Sequence, residues 1–213
     1  MPVTITLDQI QHLAPNARSS YREAFRVGQP VLDANGISST PLRLAHFMAQ
    51  ILHESGGLTL LIESLNYSAA RLPKVWPSRF LPDGPLDPAL FAHNEQKLGN
   101  EVYGGRMGNV GANDGFTYRG RGLLQLTGRD SYLEATTTVR ATNPGAPDFV
   151  ASPDEVLGSQ WCLAVAAAEW SSKNCNAFAD QDDIRKVTRA INGGLIGLAD
   201  RTEWLRLTKE VWS

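Results

Sequence analysis

Cysteine is scarce in this chain, net charge is close to nil, and apolar runs are short; each shortage removes a class of protein. The two cysteines, Cys162 and Cys175, lie thirteen positions apart. A helical path between them would separate their Cα atoms by up to ~20 Å at ~1.5 Å per residue. A disulfide spans no more than ~7 Å, so two reduced thiols are expected, and neither sits in metal-ligand spacing. A formal net charge of -2, with no block of like charges, leaves no footprint for nucleic acid or an anionic membrane surface. No apolar run approaches the ~20 residues of a membrane span. The opening residues, Met1-Pro2-Val3-Thr4-Ile5-Thr6-Leu7-Asp8, lack a basic stretch followed by an apolar core. No signal peptide is read there, and the expected location is a cytoplasm. What remains, 42% hydrophobic and 20% charged residues, is the composition of an ordinary globular chain.

Helix signals are frequent. Thr6 and Gln9 form a capping box ahead of Leu7, Ile10 and Leu13, and Pro15 ends that pattern. Thr40-Pro41 opens a helix over 42–54 that Gly56-Gly57 stop. Asp87-Pro88 predicts a helix ended by Gly99, and Ser152-Pro153-Asp154-Glu155 one reaching about Lys173. Asp182 or Asp183 starts a segment with Ile184, Val187, Thr188 and Ile191 on one face, closed by Gly193-Gly194. A last amphipathic helix covers 199–212, and its balanced charges mark it as a packing helix. Leu60-Leu61-Ile62 and Leu123 to Thr127 are candidate short strands. Five of the twelve prolines fall between Pro73 and Pro88, and a glycine-rich stretch follows at 103–115. The expectation is one mainly α domain, 1–213, with a helical body at 1–70 and 116–213. A smaller lobe at 71–115, of loops and short strands, would leave a central cleft for an extended ligand.

The chemistry points to two carboxylates. His53-Glu54-Ser55-Gly56-Gly57 puts Glu54 at the end of a helix that is apolar on most sides, seven residues after Phe47 and three after Ile51. That stripe and the negative end of the helix dipole favour a carboxyl that keeps its proton, which suits a general acid. Glu63 follows nine positions later, among Ser64, Asn66 and Tyr67, in a wetter setting that suits a general base. A pair in unlike surroundings is what hydrolysis of a glycosidic bond requires. On the residues alone, a buried Glu54 paired to an arginine beside a surface Glu63 remains an alternative.

Two other chemistries fail. A zinc-protease motif needs a second histidine four residues after His53, and position 57 is Gly57; His46 shares a helical face with His53 but no third ligand is evident. Gly120-Arg121-Gly122 lacks the third glycine of a dinucleotide loop, where Gln125 stands. No metal and no cofactor is expected.

Thr117-Tyr118-Arg119-Gly120-Arg121-Gly122-Leu123-Leu124-Gln125-Leu126-Thr127-Gly128 resembles a signature of the plant-type chitinases, glycoside hydrolase family 19. His53 to Gly57, Ile191-Asn192-Gly193-Gly194 and Ala199-Asp200-Arg201 resemble three further segments of that family, in its order, from about residue 40 to 205. The link of nine residues between the glutamates, Glu63 to Ala69 and Tyr103 to Asn109 are similar to the phage endolysins and prophage lysozymes of the family, whereas plant chitinases carry longer loops and disulfides.

The resemblance implies a lysozyme-like, two-lobed helical fold, with Glu54 as general acid, Glu63 as general base and Thr117 holding the attacking water. It implies that Asn192 and Arg201 contact sugar and orient carboxylates, and that Tyr67 and Gln125 bond sugar or brace the glutamates. Arg119 would bind carboxylates, whereas Arg121 reads equally as a structural ion pair. Asp130-Ser131-Tyr132 departs from the family's asparagine before tyrosine, and Trp76 is the one tryptophan that suits a sugar platform. The expected function is an inverting, muramidase-type endolysin that cleaves β-1,4 bonds of the peptidoglycan glycan strand for host lysis. It would be a monomer without a separate wall-binding domain, made in the host bacterial cytoplasm and reaching the wall after holin-type release. Hydrolysis of chitin is the alternative, and a non-catalytic sugar-binding module a more distant one.

Overall fold

The computed structural model describes residues 2–212 and is helical nearly throughout. In chain order the helices are α1 (Leu7–Leu13), α2 (Ser19–Val27), α3 (Gln29–Ala34), α4 (Pro41–Glu54), α5 (Leu72–Val75) and α6 (Glu95–Tyr103). There follow α7 (Asp114–Thr117), α8 (Arg129–Thr142), α9 (Cys162–Ser172), α10 (Cys175–Ala179), α11 (Ile184–Asn192) and α12 (Leu198–Val211). The chain divides into two compact units, one of Met1–Leu61, Arg121–Gln125 and Leu133–Ser213, the other of Ile62–Gly120 and Leu126–Tyr132. The smaller unit takes in more than the proline- and glycine-rich 71–115, because the backbone of Glu63 pairs with that of Gly120: the Glu63 N–H donates to the Gly120 carbonyl at 2.9 Å.

In the larger unit, α4 is the central rod. Leu44, Phe47, Met48, Ile51 and Leu52 are fully buried, and Phe47 meets Trp170 of α9 edge to face at 5.3 Å. The predicted caps are present: Thr6 and Gln9 exchange both capping-box bonds, Thr40 caps α4 with Pro41 in its first turn, and Asp183 caps α11. α12 packs on α4 through small side chains. Ala45, Ala49 and Leu205 form one cluster, and the Thr208 hydroxyl donates to the Ala45 carbonyl at 2.9 Å. Positions 208, 205 and 201 thus step back along α12 as 45, 49 and 50 step forward along α4. That antiparallel register delivers Arg201 to the end of α4. Cys162 and Cys175 are free and buried, and burial pushes both thiols up to about 12.

Several expectations are corrected. Gly99 does not end a helix; it lies inside α6, and the helix starting at Pro88 is a single 3-10 turn, Pro88–Leu90. A Cβ on Gly99 would stand 3.0 Å from the Phe116 Cα, so the glycine serves the close approach of α6 and α7. The segment from Ser152 to Lys173 is broken into a 3-10 turn, Pro153–Leu157, and α9, because Gly158 leaves helical geometry. Leu123 to Thr127 is no strand. Gln125 turns into the left-handed region at φ 55°, and its N–H returns to the Gly122 carbonyl at 3.3 Å. Strand-like pairing is limited, among the described residues, to single bridge positions at Ile62, Phe80, Leu86, Arg121 and Leu126, with Phe80 pairing to Leu86 in the smaller unit. Among the described residues no helix is long and apolar enough to cross a membrane.

His46, buried in α4, bonds Asp182 at 2.8 Å, and Lys209 bonds the other oxygen of Asp182 at 2.6 Å. Burial, opposed by Asp182, holds His46 below its ordinary 6.5. A depressed pKa means the unfolded chain takes up this proton first. The stability His46 confers is therefore complete above about pH 6.5 and drains away as pH falls through the folded value. The fall in Tm between pH 7 and pH 5 should be smaller in His46→Gln than in the parent, a comparison that calorimetry makes directly.

Candidate functional site

The sequence-predicted residues divide evenly between the units. Glu54, Gln125, Asn192 and Arg201 lie in the larger one; Glu63, Tyr67, Thr117 and Arg119 lie in the smaller.

Glu54 is the last residue of α4. Ser55 closes the helix: its hydroxyl donates to the Ile51 carbonyl at 2.6 Å and accepts the Leu58 N–H at 2.9 Å. Gly56, Gly57 and Leu58 then run through three successive left-handed conformations. The surroundings of Glu54 differ from the apolar stripe that the helix pattern predicts. The guanidinium of Arg201, only 1% exposed, reaches it from α12 and donates Nη2 to Glu54 Oε1. Nη1 of the same group donates to Gln50 Oε1 at 2.5 Å, and Nε to the Ile196 carbonyl at 3.3 Å. Glu54 Oε2 takes no hydrogen bond from any described residue, and the side chain is 17% exposed. Arg201 therefore holds one oxygen of Glu54.

Beside this fork, His53 Nδ1 bonds Asp200 at 2.6 Å. The imidazole lies against Gly197, where a Cβ would come within 2.4 Å of its ring. Gly197, at φ 73°, is the cap of α12, so the same glycine starts the helix that carries Arg201 and makes room for His53. Asn192 closes α11 with its amide nitrogen buried and without a hydrogen-bond partner among the described residues. The carbonyl just before it, that of Ile191, accepts Lys173 Nζ at 3.1 Å, and Lys173 also bonds Glu169 at 2.7 Å. Burial raises the Glu169 carboxyl above its usual range. Gln125 donates its amide to the Gly122 carbonyl at 2.9 Å, and the left-handed backbone it adopts marks a constrained position.

Glu63 is held in another way. Its Oε2 accepts the Tyr103 hydroxyl at 2.9 Å, and its Oε1 accepts the Gly120 N–H at 2.6 Å. Both partners are donors. Burial, and then the adjoining carboxylate, push the Tyr103 phenol well above its ordinary value, so it remains a donor throughout the working range. Tyr103 ends α6, and Asn109 anchors it by donating its side-chain amide to the Tyr103 carbonyl at 2.9 Å. Thr117 ends α7, half-buried, with its N–H on the Asn113 carbonyl at 2.9 Å. Thr127, a second half-buried hydroxyl of the motif, falls in the same unit. Tyr67 packs on Trp76 edge to face at 5.2 Å, within the smaller unit's apolar cluster. Arg119 lies over the Phe116 ring at 3.9 Å and donates to the Phe116 carbonyl at 2.8 Å. Arg121, by contrast, is buried and ion-paired at 2.8 Å to the exposed Asp154 in the larger unit.

Two side chains that hold the carboxylates or their partner escaped sequence reasoning. Gln50 had a signal, as a lone amide in an otherwise apolar turn one helical turn before Glu54. Tyr103 stood inside a quoted motif, but nothing in the spacing tied it to Glu63, forty residues earlier. Among the described residues, no group of three or more His, Cys, Asp or Glu side chains could hold a metal ion.

No protein-family model matches the chain. A glycosyl hydrolase family 19 domain-containing protein of Haemophilus influenzae is 36% identical over 167 residues, 78% of each chain. Among solved structures, chitinase C of Streptomyces griseus superposes with a TM-score of 0.60 at 18% identity, covering 99% of this chain and 93% of that one. A bacterial family 19 chitinase superposes with a TM-score of 0.59 at 20% identity, covering 96% and 95%. These two likenesses establish a shared, mostly helical fold. The identity and coverage of the first relative establish more: the chain belongs to glycosyl hydrolase family 19 and is a glycoside hydrolase.

Proposed function

We propose that this enzyme hydrolyses the β-1,4 bonds of peptidoglycan glycan strands by single displacement, as a monomeric lytic enzyme of the endolysin type. The observation that carries the catalytic assignment is the unlike anchoring of the two glutamates. Glu54 has one oxygen on a buried guanidinium and the other without a protein partner, which suits a group that turns one oxygen toward a leaving sugar oxygen. Glu63 has both oxygens on donors, which suits a group that accepts a proton from water.

In this reading Glu54 protonates the glycosidic oxygen as the bond to the anomeric carbon breaks. Water, oriented by Glu63 and the Thr117 hydroxyl, attacks that carbon from the opposite face and gives its proton to Glu63. The product has inverted configuration. Asn192, Gln125, Tyr67 and Arg119 are the proposed contacts to sugar or to the acidic groups of the peptide stems. The glycan assignment is supported by the short link between the glutamates and by the two free cysteines, both unlike the looped, disulfide-bonded plant chitinases. Chitin is the second reading, favoured by the names of the structural relatives.

Purified peptidoglycan and chitin oligomers, digested side by side, separate the two. Muropeptides ending in reducing muramic acid, released with inverted anomeric configuration, are expected; turnover of chitin alone would reassign the substrate. Glu54→Gln and Glu63→Gln should each lower kcat by about a hundred- to ten-thousandfold, and sugar binding with no hydrolysis in the parent would reduce the protein to a binding module. Tyr103→Phe should lower kcat about ten- to a hundredfold, the ~1.5–3 kcal/mol of a hydrogen bond to a charged group. Thr117→Val and Thr127→Val, compared on one substrate, assign the water-holding hydroxyl. The loss is expected at Thr117, and a loss confined to Thr127→Val would transfer the role.

A further inference from the structure

Gln50 lies in the interior of α4 with an exposure of 0%. Its Oε1 accepts Arg201 Nη1 at 2.5 Å, while its Nε2 is buried and has no hydrogen-bond partner among the described residues. A side-chain amide has one accepting and one donating end. Turned over, it would set donor against donor, so the contact with the guanidinium decides which way it points.

An orphaned buried NH2 group is an unfavourable thing to keep, and two simpler residues would avoid it. Leucine fills the space with no polar atom, but it leaves Nη1 of a buried cation unmet. Glutamate would meet Nη1 more strongly, but it would place a second carboxylate one turn from Glu54 and divide the guanidinium's charge between the two. Glutamine alone supplies a neutral acceptor of the right length. The planar guanidinium is then held at three points: the Ile196 carbonyl on Nε, Gln50 on Nη1 and Glu54 on Nη2.

We propose that Gln50 is a positioning residue of the glycosidase site, a neutral clamp that fixes the plane of Arg201 so that Nη2 meets Glu54 with its charge undivided. It acts through Arg201 and touches no substrate. The proposal rests on Glu54 being the general acid. A lost clamp frees the guanidinium to swing about its Nε–Cζ axis, and the carboxyl that must meet the leaving oxygen loses its fixed orientation. The cost falls on the chemical step rather than on substrate binding.

A double-mutant cycle tests this. Gln50→Leu should lower kcat by about tenfold with KM nearly unchanged, and Gln50→Leu combined with Arg201→Lys should be no worse than Arg201→Lys alone. Parental kcat in Gln50→Leu, or losses that simply add, would overturn the proposal. Should Gln50→Leu not fold, Gln50→Met takes its place in the cycle, since it keeps the length and removes the accepting carbonyl; parental kcat there would overturn the proposal equally. NMR of the Arg201 guanidinium supplies a readout that a purely structural role would not move. Separate Nη1 and Nη2 signals are expected in the parent, from hindered rotation, and merged signals in the Gln50 variant. A parent with merged signals removes the clamp but leaves the acid assignment standing. Full activity in Glu54→Gln removes the acid assignment while the split signals remain.

Discussion

A guanidinium at 1% exposure sets the terms for the larger unit. An isolated charge at that depth costs several kcal/mol even after relaxation, and breaking such a pair costs ~3–5 kcal/mol. Every donor of Arg201 that the fold brings into reach of an acceptor therefore counts. The alanines of α4 and the hydroxyl of Thr208 let α12 lie close, and the loop before α12 turns its Ile196 carbonyl back onto Nε. The outcome is a carboxyl at the end of α4 whose direction is dictated by a cation two hydrogen bonds deep in the core. Precision at Glu54 and stability of the α4–α12 packing are one and the same requirement.

The smaller unit solves a similar problem without a cation. Glu63 is oriented by a backbone N–H and a phenol, and the phenol is kept in place by α6 and by Asn109. Neutral donors fix a carboxylate's direction while leaving its charge uncompensated. The loops of this unit are tied by side chains that cap backbone groups. Asp114 Oδ2 accepts the N–H groups of Val110 at 3.1 Å and Gly111 at 2.8 Å, and Asn100 accepts that of Phe116 at 2.8 Å. Such bonds supplement strand pairing that is limited, among the described residues, to single bridges, so a proline- and glycine-rich stretch can still hold its side chains with little freedom.

The two glutamates are alike in residue type. They differ in what holds them, a shared buried cation in one case and two neutral donors in the other.

Local patterns determined a good deal. The capping residues Thr6, Thr40 and Asp183, the apolar turns of α4 and the amphipathic spacing of α11 and α12 all depend on neighbours within a few positions, and these elements lie where the spacing predicts. The glutamates were legible for the same reason: one ends a helix marked by its own glycines, and the other follows within one short loop. Tertiary structure decided the rest. Gly99 looks like a helix stop in sequence and is a contact in space, because Leu65 and Phe116 both come within 3.0 Å of where its Cβ would stand. Leu123 to Thr127 has the composition of a strand and becomes a turn, because Gln125 is held in a left-handed bend. The partners of the carboxylates, Arg201 with Gln50 and Tyr103 with Gly120, come from far along the chain. A hydrogen bond between such distant residues leaves no periodicity in the sequence, and only the packing of α12 on α4 and of α6 on α7 brings its two ends together.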